Sequence, residues 1–135
     1  MQTANVKWTG AQQFVSTTPS GHTVAFDGSH KAASTPMEML LCALGACSLV
    51  DVVIILEKKR QALTALEVDV TGEKADAIPA VWARIEMVYR LAGQLEEKAV
   101  RDAIELSQNK YCSVAAMLGK TAKITYRFEI SENKV

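Results

Sequence analysis

Three cysteines are the residues of this sequence best suited to redox or nucleophilic chemistry, because a thiolate is both a nucleophile and a metal ligand. Cys42 and Cys47 lie in the apolar segment TPMEMLLCALGACSLVDV, and Cys112 follows in KYCSVAAML. On a regular helix, positions five residues apart lie about 140° apart around the axis, with Cα atoms about 7.5 Å apart. Cys42 and Cys47 therefore do not form a disulfide with each other, and we expect at least one of them to serve only in packing.

Cys47 differs from Cys42 in its neighbours. Gly45 and Ala46 leave space beside it, and Asp51 lies one turn further along the same helical face. A carboxylate in so apolar a helix either has a bonded partner or marks a functional site. Because a nearby negative charge raises the pKa of a thiol, a reactive Cys47 would require a cation from elsewhere in the structure.

Cys112 lies at a predicted helix start, directly after Asn109-Lys110-Tyr111. Helix N-termini favour the thiolate form of cysteine, so Cys112 is a candidate partner for Cys47. The spacing alone does not pair the two residues.

The sequence shows no pattern typical of metal, nucleotide or nucleic-acid binding. His22 and His30 fall in polar loops, and no Cys-x-x-Cys or His-x-x-x-His spacing is present, so we expect no metal site. Neither a Gly-x-Gly-x-x-Gly nor a P-loop motif occurs, which argues against nucleotide binding. Lys and Arg total 15, as do Asp and Glu, so no net charge attracts nucleic acid.

The cysteine usage also bears on location. An odd number of cysteines without an N-terminal leader pattern indicates a reducing compartment, and we expect the cytoplasm. The apolar stretch 39–56 is interrupted by Asp51 and is shorter than the ~20 residues of a membrane span. We interpret it as a helix buried in protein, and we expect no association with a membrane.

Hydrophobic periodicity predicts the elements that position these thiols. Residues 3–27 alternate in short pieces around a Pro-Ser-Gly turn, which predicts a strand meander. A loop follows, and Ser34 or Thr35 then caps a helix with Pro36 at its first position. This helix continues to about Arg60.

The second half of the chain predicts two long strands, two helices and a last strand. Alternation over 64–74 and 81–91 predicts an antiparallel pair. Helical spacing over 94–110 predicts an amphipathic helix. A short helix over 112–119 and a strand over 122–130 complete an α+β domain, which we expect to be one domain over residues 1–135. The expected inward residues are Leu66, Val68 and Val70 on the first long strand, Val81, Ala83, Ile85, Met87 and Tyr89 on the second, and Leu95, Ala99, Ala103 and Leu106 on the amphipathic helix.

The long helix is apolar nearly all round, and such a helix must be covered on every side. One modest set of strands and helices in a chain of 135 residues does not suffice for that. The sequence therefore predicts a homodimer in which two such helices pack together.

The segments TPMEMLLCALGACSLVDV and KYCSVAAML, together with the order of elements, resemble the OsmC/Ohr family of thiol-dependent hydroperoxide reductases. The similarity covers nearly the whole chain and is greatest to the YhfA-type subgroup. It implies an OsmC-like fold, with antiparallel β-sheets wrapped around a long buried central helix in an intertwined homodimer.

The resemblance also implies roles for two of the cysteines. Cys47 matches the peroxidatic cysteine, which reduces an organic hydroperoxide and becomes a sulfenic acid, and Cys112 matches the resolving cysteine, which closes a disulfide. An external dithiol or lipoyl-type reductant would then restore the thiols, without a metal or organic cofactor. Cys42 matches no functional position.

Members of the family support the thiolate with an Arg before the helix and a Glu directly after the Pro. Here the residue after Pro36 is Met37, and Glu38 comes one place later. The preceding segment HTVAFDGSHKAAS holds no Arg. Its candidates for a positive charge near the thiolate are Lys31 and the adjacent His30. Asp51, Glu38 and Lys31 are therefore the candidate supporting residues. The alternative function is a non-catalytic dimer of this fold that binds a small apolar molecule or senses redox state.

Overall fold

The computed structural model describes residues 1–131 of the 135-residue chain. They form two compact units, the first comprising Met1–Leu40 and the second beginning at Leu41. The order of elements is three strands, a long helix, two strands, two helices and a strand, which confirms the predicted α+β order.

The first unit contains an antiparallel three-stranded sheet. Its strands are β1 (Asn5–Gly10), β2 (Gln13–Thr17) and β3 (Thr23–Asp27), in the order β1-β2-β3. The predicted meander is thus confirmed. Gly21 in the turn between β2 and β3 has a φ of 91°, a left-handed conformation that glycine adopts without steric cost.

Helix α1 (Pro36–Lys58) starts where the sequence predicts. Thr35 Oγ1 accepts the Glu38 N–H at 3.1 Å, and Glu38 Oε1 accepts the Thr35 N–H at 2.9 Å. These reciprocal bonds form a capping box, which satisfies two N–H groups that a helix start otherwise leaves unpaired. Of the two predicted caps, Thr35 is therefore the one used. Arg60, with a φ of 59°, follows the helix end.

One stripe of α1 is buried, and its members are Leu44, Gly45, Ser48, Val52 and Leu56. Gly45 allows close packing on the second sheet, because a Cβ there would lie 3.2 Å from γ-carbons of both Val68 and Val70. The opposite side of the helix is exposed in the single chain, with Val50 57% and Ile54 46% exposed. Among residues 1–131, α1 is the one helix long and apolar enough to cross a bilayer, a criterion that core helices of soluble proteins also meet.

The second unit contains β4 (Ala62–Lys74), β5 (Trp82–Gln94) and β6 (Lys123–Ser131), in the order β4-β5-β6. The predicted antiparallel pairing of β4 with β5 is confirmed. The expectation of wholly antiparallel sheets is wrong for the last strand, because β6 runs parallel to β5. The two helices between β5 and β6 form the long crossover that a parallel pair requires.

Helices α2 (Glu97–Leu106) and α3 (Ser113–Leu118) flank a π-helical turn, Ser107–Tyr111, which we call the π turn. The sequence predicts a plain helix through residue 110, so the π turn is a correction. Leu106, predicted inward, is 37% exposed, whereas Ile104 is buried. The buried face of α2 comprises Ala99, Val100, Ala103 and Ile104. The prediction for Ala99 and Ala103 is confirmed.

The core of the second unit lies between α1, the inner face of the sheet, and α2 with α3. The predicted inward residues Ile85, Met87 and Tyr89 of β5 are almost wholly buried there. Leu66, Val68 and Val70 of β4 pack against the same core as half-buried side chains. Cys112 is part of this core, and Cys47 packs against it.

Candidate active site

Helix α1 separates its two cysteines as the sequence predicts. Cys42 is exposed, whereas Cys47 is half-buried and packs against the core of the second unit. The expectation that they lie on different faces is confirmed. Of these two cysteines, Cys47 is therefore the one that packs against the core.

Cys112 is positioned by the π turn. Its N–H donates to the carbonyl of Ser107 at 2.8 Å, which closes a turn one residue wider than an α-helical turn. The Cys112 backbone is then extended (φ −76°, ψ 104°) and caps α3, with its Sγ accepting the Ala115 N–H at 3.3 Å. The predicted helix start at Cys112 is thus confirmed.

The structure brings Cys47 and Cys112 together. The Cys47 thiol lies near enough to Cys112 to raise the pKa of the Cys112 thiol, and the Cys112 residue is only 3% exposed. Elements from distant parts of the sequence, α1 and the segment after the π turn, therefore place the two thiols close together. The spacing of the sequence alone left this pairing open.

The pKa of the Cys112 thiol is raised from 9.0 to about 11. Burial is the main cause, and the Cys47 thiol and the Asp51 carboxylate raise the pKa further, whereas the hydrogen bond from the Ala115 N–H lowers it. The expectation that a helix N-terminus favours the Cys112 thiolate is therefore wrong. One backbone donor of a six-residue helix does not offset removal of the sulfur from water.

Ser48, which follows Cys47 in the sequence, belongs to a chain of hydrogen-bonded polar side chains. Ser48 Oγ lies 2.5 Å from the Tyr89 hydroxyl and 2.8 Å from Ser107 Oγ. Ser107 Oγ donates to Asp51 Oδ2 at 3.0 Å, and Gln108 Nε2 donates to the Tyr89 hydroxyl at 2.6 Å. The relative exposure of Ser48, Tyr89 and Ser107 is 0%. The name hydroxyl chain is used below for the five residues that these bonds join: Ser48, Asp51, Tyr89, Ser107 and Gln108.

Sequence reasoning missed the hydroxyl chain, although signals for it were present. Tyr89 was assigned to the inward face of its strand, and a buried tyrosine hydroxyl normally finds a hydrogen-bond partner. Ser48 interrupts an otherwise apolar helix directly after Cys47. Burial raises the pKa of the Tyr89 phenol, and proximity of Cys112 contributes to that rise, whereas the hydrogen bonds with Ser48 and Gln108 lower it.

Asp51 has the bonded partner that its position in an apolar helix requires, since Ser107 Oγ donates to it. Its carboxylate also lies beside an open groove of about 480 Å³. Two lysine side chains and several apolar ones line this groove: Ile54, Ile55, Lys58, Lys59, Leu106 and Tyr111.

The remaining candidate residues belong to the first unit. Glu38 occupies the capping box of α1, and Lys31 and His30 are exposed in the loop after β3. Asp27 organises that loop, because its carboxylate accepts the Ala32 N–H and both the N–H and the hydroxyl of Ser29, bonds that lower the Asp27 pKa. The predicted support of Cys47 by Lys31 or Glu38 stays a prediction.

The fold and the cysteine pair can now be set beside known proteins. The sequence model of a family described as OsmC-like protein matches residues 28–127. The chain belongs to the OsmC-like family. Protein YhfA of Escherichia coli strain K12 is 42% identical over 129 residues, covering 94% of this chain and 96% of that protein. The resemblance inferred from the two cysteine segments is therefore confirmed, including the YhfA-type subgroup.

Solved structures agree with the OsmC-like assignment. A hypothetical protein from Aquifex aeolicus VF5 is 31% identical, with a TM-score of 0.91 over 99% of this chain and 98% of that chain. An organic hydroperoxide resistance protein OsmC from Legionella pneumophila is 10% identical, with a TM-score of 0.72 over 96% of each chain. The second likeness concerns the fold alone, and it confirms the OsmC-like fold.

Proposed function

We propose that this protein reduces organic hydroperoxides with Cys47 as the peroxidatic cysteine and Cys112 as the resolving cysteine. The observation that carries the proposal is the proximity of the two thiols, through which Cys47 raises the pKa of Cys112. A resolving thiol must reach the sulfur of a sulfenic acid, and here Cys112 is already close to Cys47. Membership of the OsmC-like family supports a redox function of this kind.

In the first step, the Cys47 thiolate attacks the terminal oxygen of the hydroperoxide. The O–O bond breaks, an S–O bond forms, and the released alkoxide takes up a proton to leave as the alcohol. Cys47 is oxidised to a sulfenic acid, and the hydroperoxide is reduced. Since Cys47 is half-buried whereas Cys112 is almost wholly buried, Cys47 is the thiol that an incoming peroxide reaches.

In the second step, Cys112 resolves the sulfenic acid. Its sulfur attacks the Cys47 sulfur, the S–O bond breaks, and hydroxide leaves with the proton of the Cys112 thiol as water. The product is a disulfide between Cys47 and Cys112. The raised pKa of Cys112 keeps its proton in place until this step.

In the third step, an external dithiol, such as a lipoyl-type group, reduces the disulfide by thiol exchange and is itself oxidised to a disulfide. Both cysteines return to thiols, and no metal or organic cofactor enters the cycle. The cytoplasm supplies the reducing conditions that this cycle needs.

We further propose that the functional form is a homodimer. The exposed side of α1 carries Val50 and Ile54, and apolar residues side by side on a helix normally pack against protein. A second copy of the chain offers the same surface, as an isologous interface requires. The organic hydroperoxide resistance protein OsmC of Legionella pneumophila has the same fold as this chain.

A second candidate function is a non-catalytic dimer that binds a small molecule or senses redox state. The raised pKa of Cys112 and the neighbouring Asp51 carboxylate favour it, because attack by a thiol requires loss of its proton. In that case the cysteine pair would respond to oxidation without turning over peroxide.

Consumption of cumene hydroperoxide with dithiothreitol as reductant tests the proposal. We expect the wild-type protein to consume peroxide, Cys47→Ser to lose the activity, and Cys112→Ser to react once and then accumulate oxidised Cys47. Cys42→Ser is the matched control, since Cys42 is exposed on the same helix. A wild-type rate no faster than that of Cys47→Ser would exclude the peroxidase and leave the non-catalytic dimer.

A further inference from the structure

Two buried serines flank the cysteine pair. Ser48 follows Cys47 on α1, and Ser107 begins the π turn that directly precedes Cys112. Their hydroxyl oxygens lie 2.8 Å apart, and the Ser107 carbonyl also accepts the Cys112 N–H at 2.8 Å. The hydrogen bonds of Ser107 with Ser48 and Asp51 thus connect the helix of the first thiol to the turn that precedes the second.

The hydrogen bonds of the hydroxyl chain run in one direction. Gln108 Nε2 is a donor at one end, where it contacts the Tyr89 hydroxyl at 2.6 Å and Met87 Sδ at 3.1 Å. The Asp51 carboxylate at the other end is the acceptor from Ser107. Each hydroxyl between them therefore donates toward Asp51, from Tyr89 to Ser48 to Ser107. A fully satisfied chain of this kind holds its members in a single arrangement.

Burial makes the arrangement difficult to replace. The exposure of Ser48, Tyr89 and Ser107 is 0%, so bulk water does not substitute for a lost partner, and an unpaired buried polar group is costly. Removal of one hydroxyl leaves its neighbour unsatisfied. The α1 helix and the π turn would then be free to shift relative to each other at the point where the thiols meet.

We propose that Ser48, Ser107 and Tyr89 are positioning residues that hold the Cys112 sulfur against the Cys47 sulfur for disulfide formation. This inference rests on the proposed function, in which Cys112 attacks the sulfenic acid of Cys47. The hydrogen bonds described for these residues run among the hydroxyls and to Asp51, not to the Cys47 sulfur. The hydroxyl chain therefore acts on the second step of the cycle and not on attack of the peroxide.

The variants Ser107→Ala and Tyr89→Phe test the proposal, with Ser113→Ala as the matched control. Ser113 is exposed and follows Cys112 on the other side, so its variant makes the same chemical change outside the hydroxyl chain. Tyr89→Phe keeps the buried ring and removes only the hydroxyl. Circular dichroism and thermal unfolding establish that each variant folds.

Single-turnover oxidation separates the two steps. Peroxide consumption reports sulfenic acid formation, and trapping with dimedone followed by mass spectrometry reports how long the sulfenic acid of Cys47 survives. We expect the first step to stay within about twofold of wild type in both variants and disulfide formation to slow by about tenfold or more, since small losses of alignment have effects of this size. Ser113→Ala should match wild type in both steps.

Equilibration with dithiothreitol redox buffers measures the same positioning without peroxide. We expect Ser107→Ala and Tyr89→Phe to shift the equilibrium toward the dithiol by about tenfold, which corresponds to about 30 mV for a two-electron couple. If wild type consumes no peroxide, the proposed function fails, and this equilibrium still decides whether the hydroxyl chain aligns the thiols. Wild-type equilibria in both variants, or equal slowing of both oxidation steps, would overturn the proposal.

Discussion

Ser107 and Cys112 are joined by a backbone hydrogen bond of 2.8 Å that spans the π turn. The turn contains one residue more than an α-helical turn would, and it leads directly to Cys112, whose thiol lies close to that of Cys47. Single π turns of this kind occur often at functional sites. The contact between the thiols therefore depends on the length of the segment between α2 and α3 as well as on the presence of both cysteines.

Deletion of Asn109, an exposed residue of the π turn, should convert the turn to an α-helical one. Because one residue corresponds to about 100° of rotation around a helix, we expect Cys112 to leave Cys47 and the disulfide no longer to form on oxidation. Mass spectrometry of thiols labelled before and after diamide treatment measures this. Asn109→Ala keeps the length and is the control, and a disulfide that forms equally fast in the deletion variant would contradict the prediction.

Stability should depend on pH through Cys112. Its pKa is about 11 in the folded protein and 9.0 as the ordinary value, so the stabilisation is complete below pH 9. Between pH 9 and 11 the unfolded chain loses this proton while the folded chain keeps it, and stability falls as the pH rises. The total loss should be about 2 to 3 kcal/mol.

Urea unfolding of wild type and Cys112→Ala, from about pH 8 to about pH 11, measures that loss. Tyr89, whose pKa is also raised, is present in both proteins, so the difference between them isolates Cys112. We expect the difference in unfolding free energy between wild type and Cys112→Ala to decrease as the pH increases. A constant gap would show that burial does not hold the proton on Cys112.

Thr35 and Glu38 each contribute one hydrogen bond to the capping box, so their alanine variants can be compared directly. We expect Thr35→Ala and Glu38→Ala each to lower the free energy of unfolding by about 1 kcal/mol, because each leaves a helix-start N–H unpaired. Chemical denaturation measures this. Peroxide consumption gives a further comparison, since a loss seen with Glu38→Ala and not with Thr35→Ala would reveal the supporting role that the family pattern assigns to a Glu near this position.

The exposed side of α1 predicts the oligomeric state. Light scattering of the wild-type protein should give twice the 14.7 kDa chain mass. Val50→Glu or Ile54→Lys should shift the protein toward the monomer, because each places a charge in the proposed dimer interface. Met117→Lys is the control, because Met117 is 72% exposed on α3. A wild-type monomer would exclude the homodimer.

Much of the fold could be predicted from local pattern. The alternation in β4 and β5 predicts their pairing and inward faces, because side-chain direction in a strand has a period of two residues. The cap and the proline at the start of α1 predict its first turn to the residue. The buried face of α2 was predicted only in part: Ala99 and Ala103 are buried, whereas Leu106 is exposed. Leu106 immediately precedes the π turn, and residues of such a turn do not differ in type from those of an α-helix.

The site was predicted less completely than the fold. Local spacing separates Cys42 from Cys47, but it does not show that Ser48, Tyr89 and Ser107 meet. These hydroxyls come from α1, β5 and the π turn, so their contact depends on how three distant elements pack. The parallel direction of β6 likewise depends on where the crossover helices return the chain.

The sequence by itself determined the order of the strands and helices and the placement of Cys42 and Cys47 on different faces of α1, because both follow from periodicity within one segment of chain. The tertiary structure alone decided that Cys112 lies close to Cys47 and that burial raises the pKa of Cys112. A helix start favours a thiolate through local dipoles, whereas burial opposes the charge through all the atoms that exclude water. That second effect is a property of the packed core, and here it is the larger of the two.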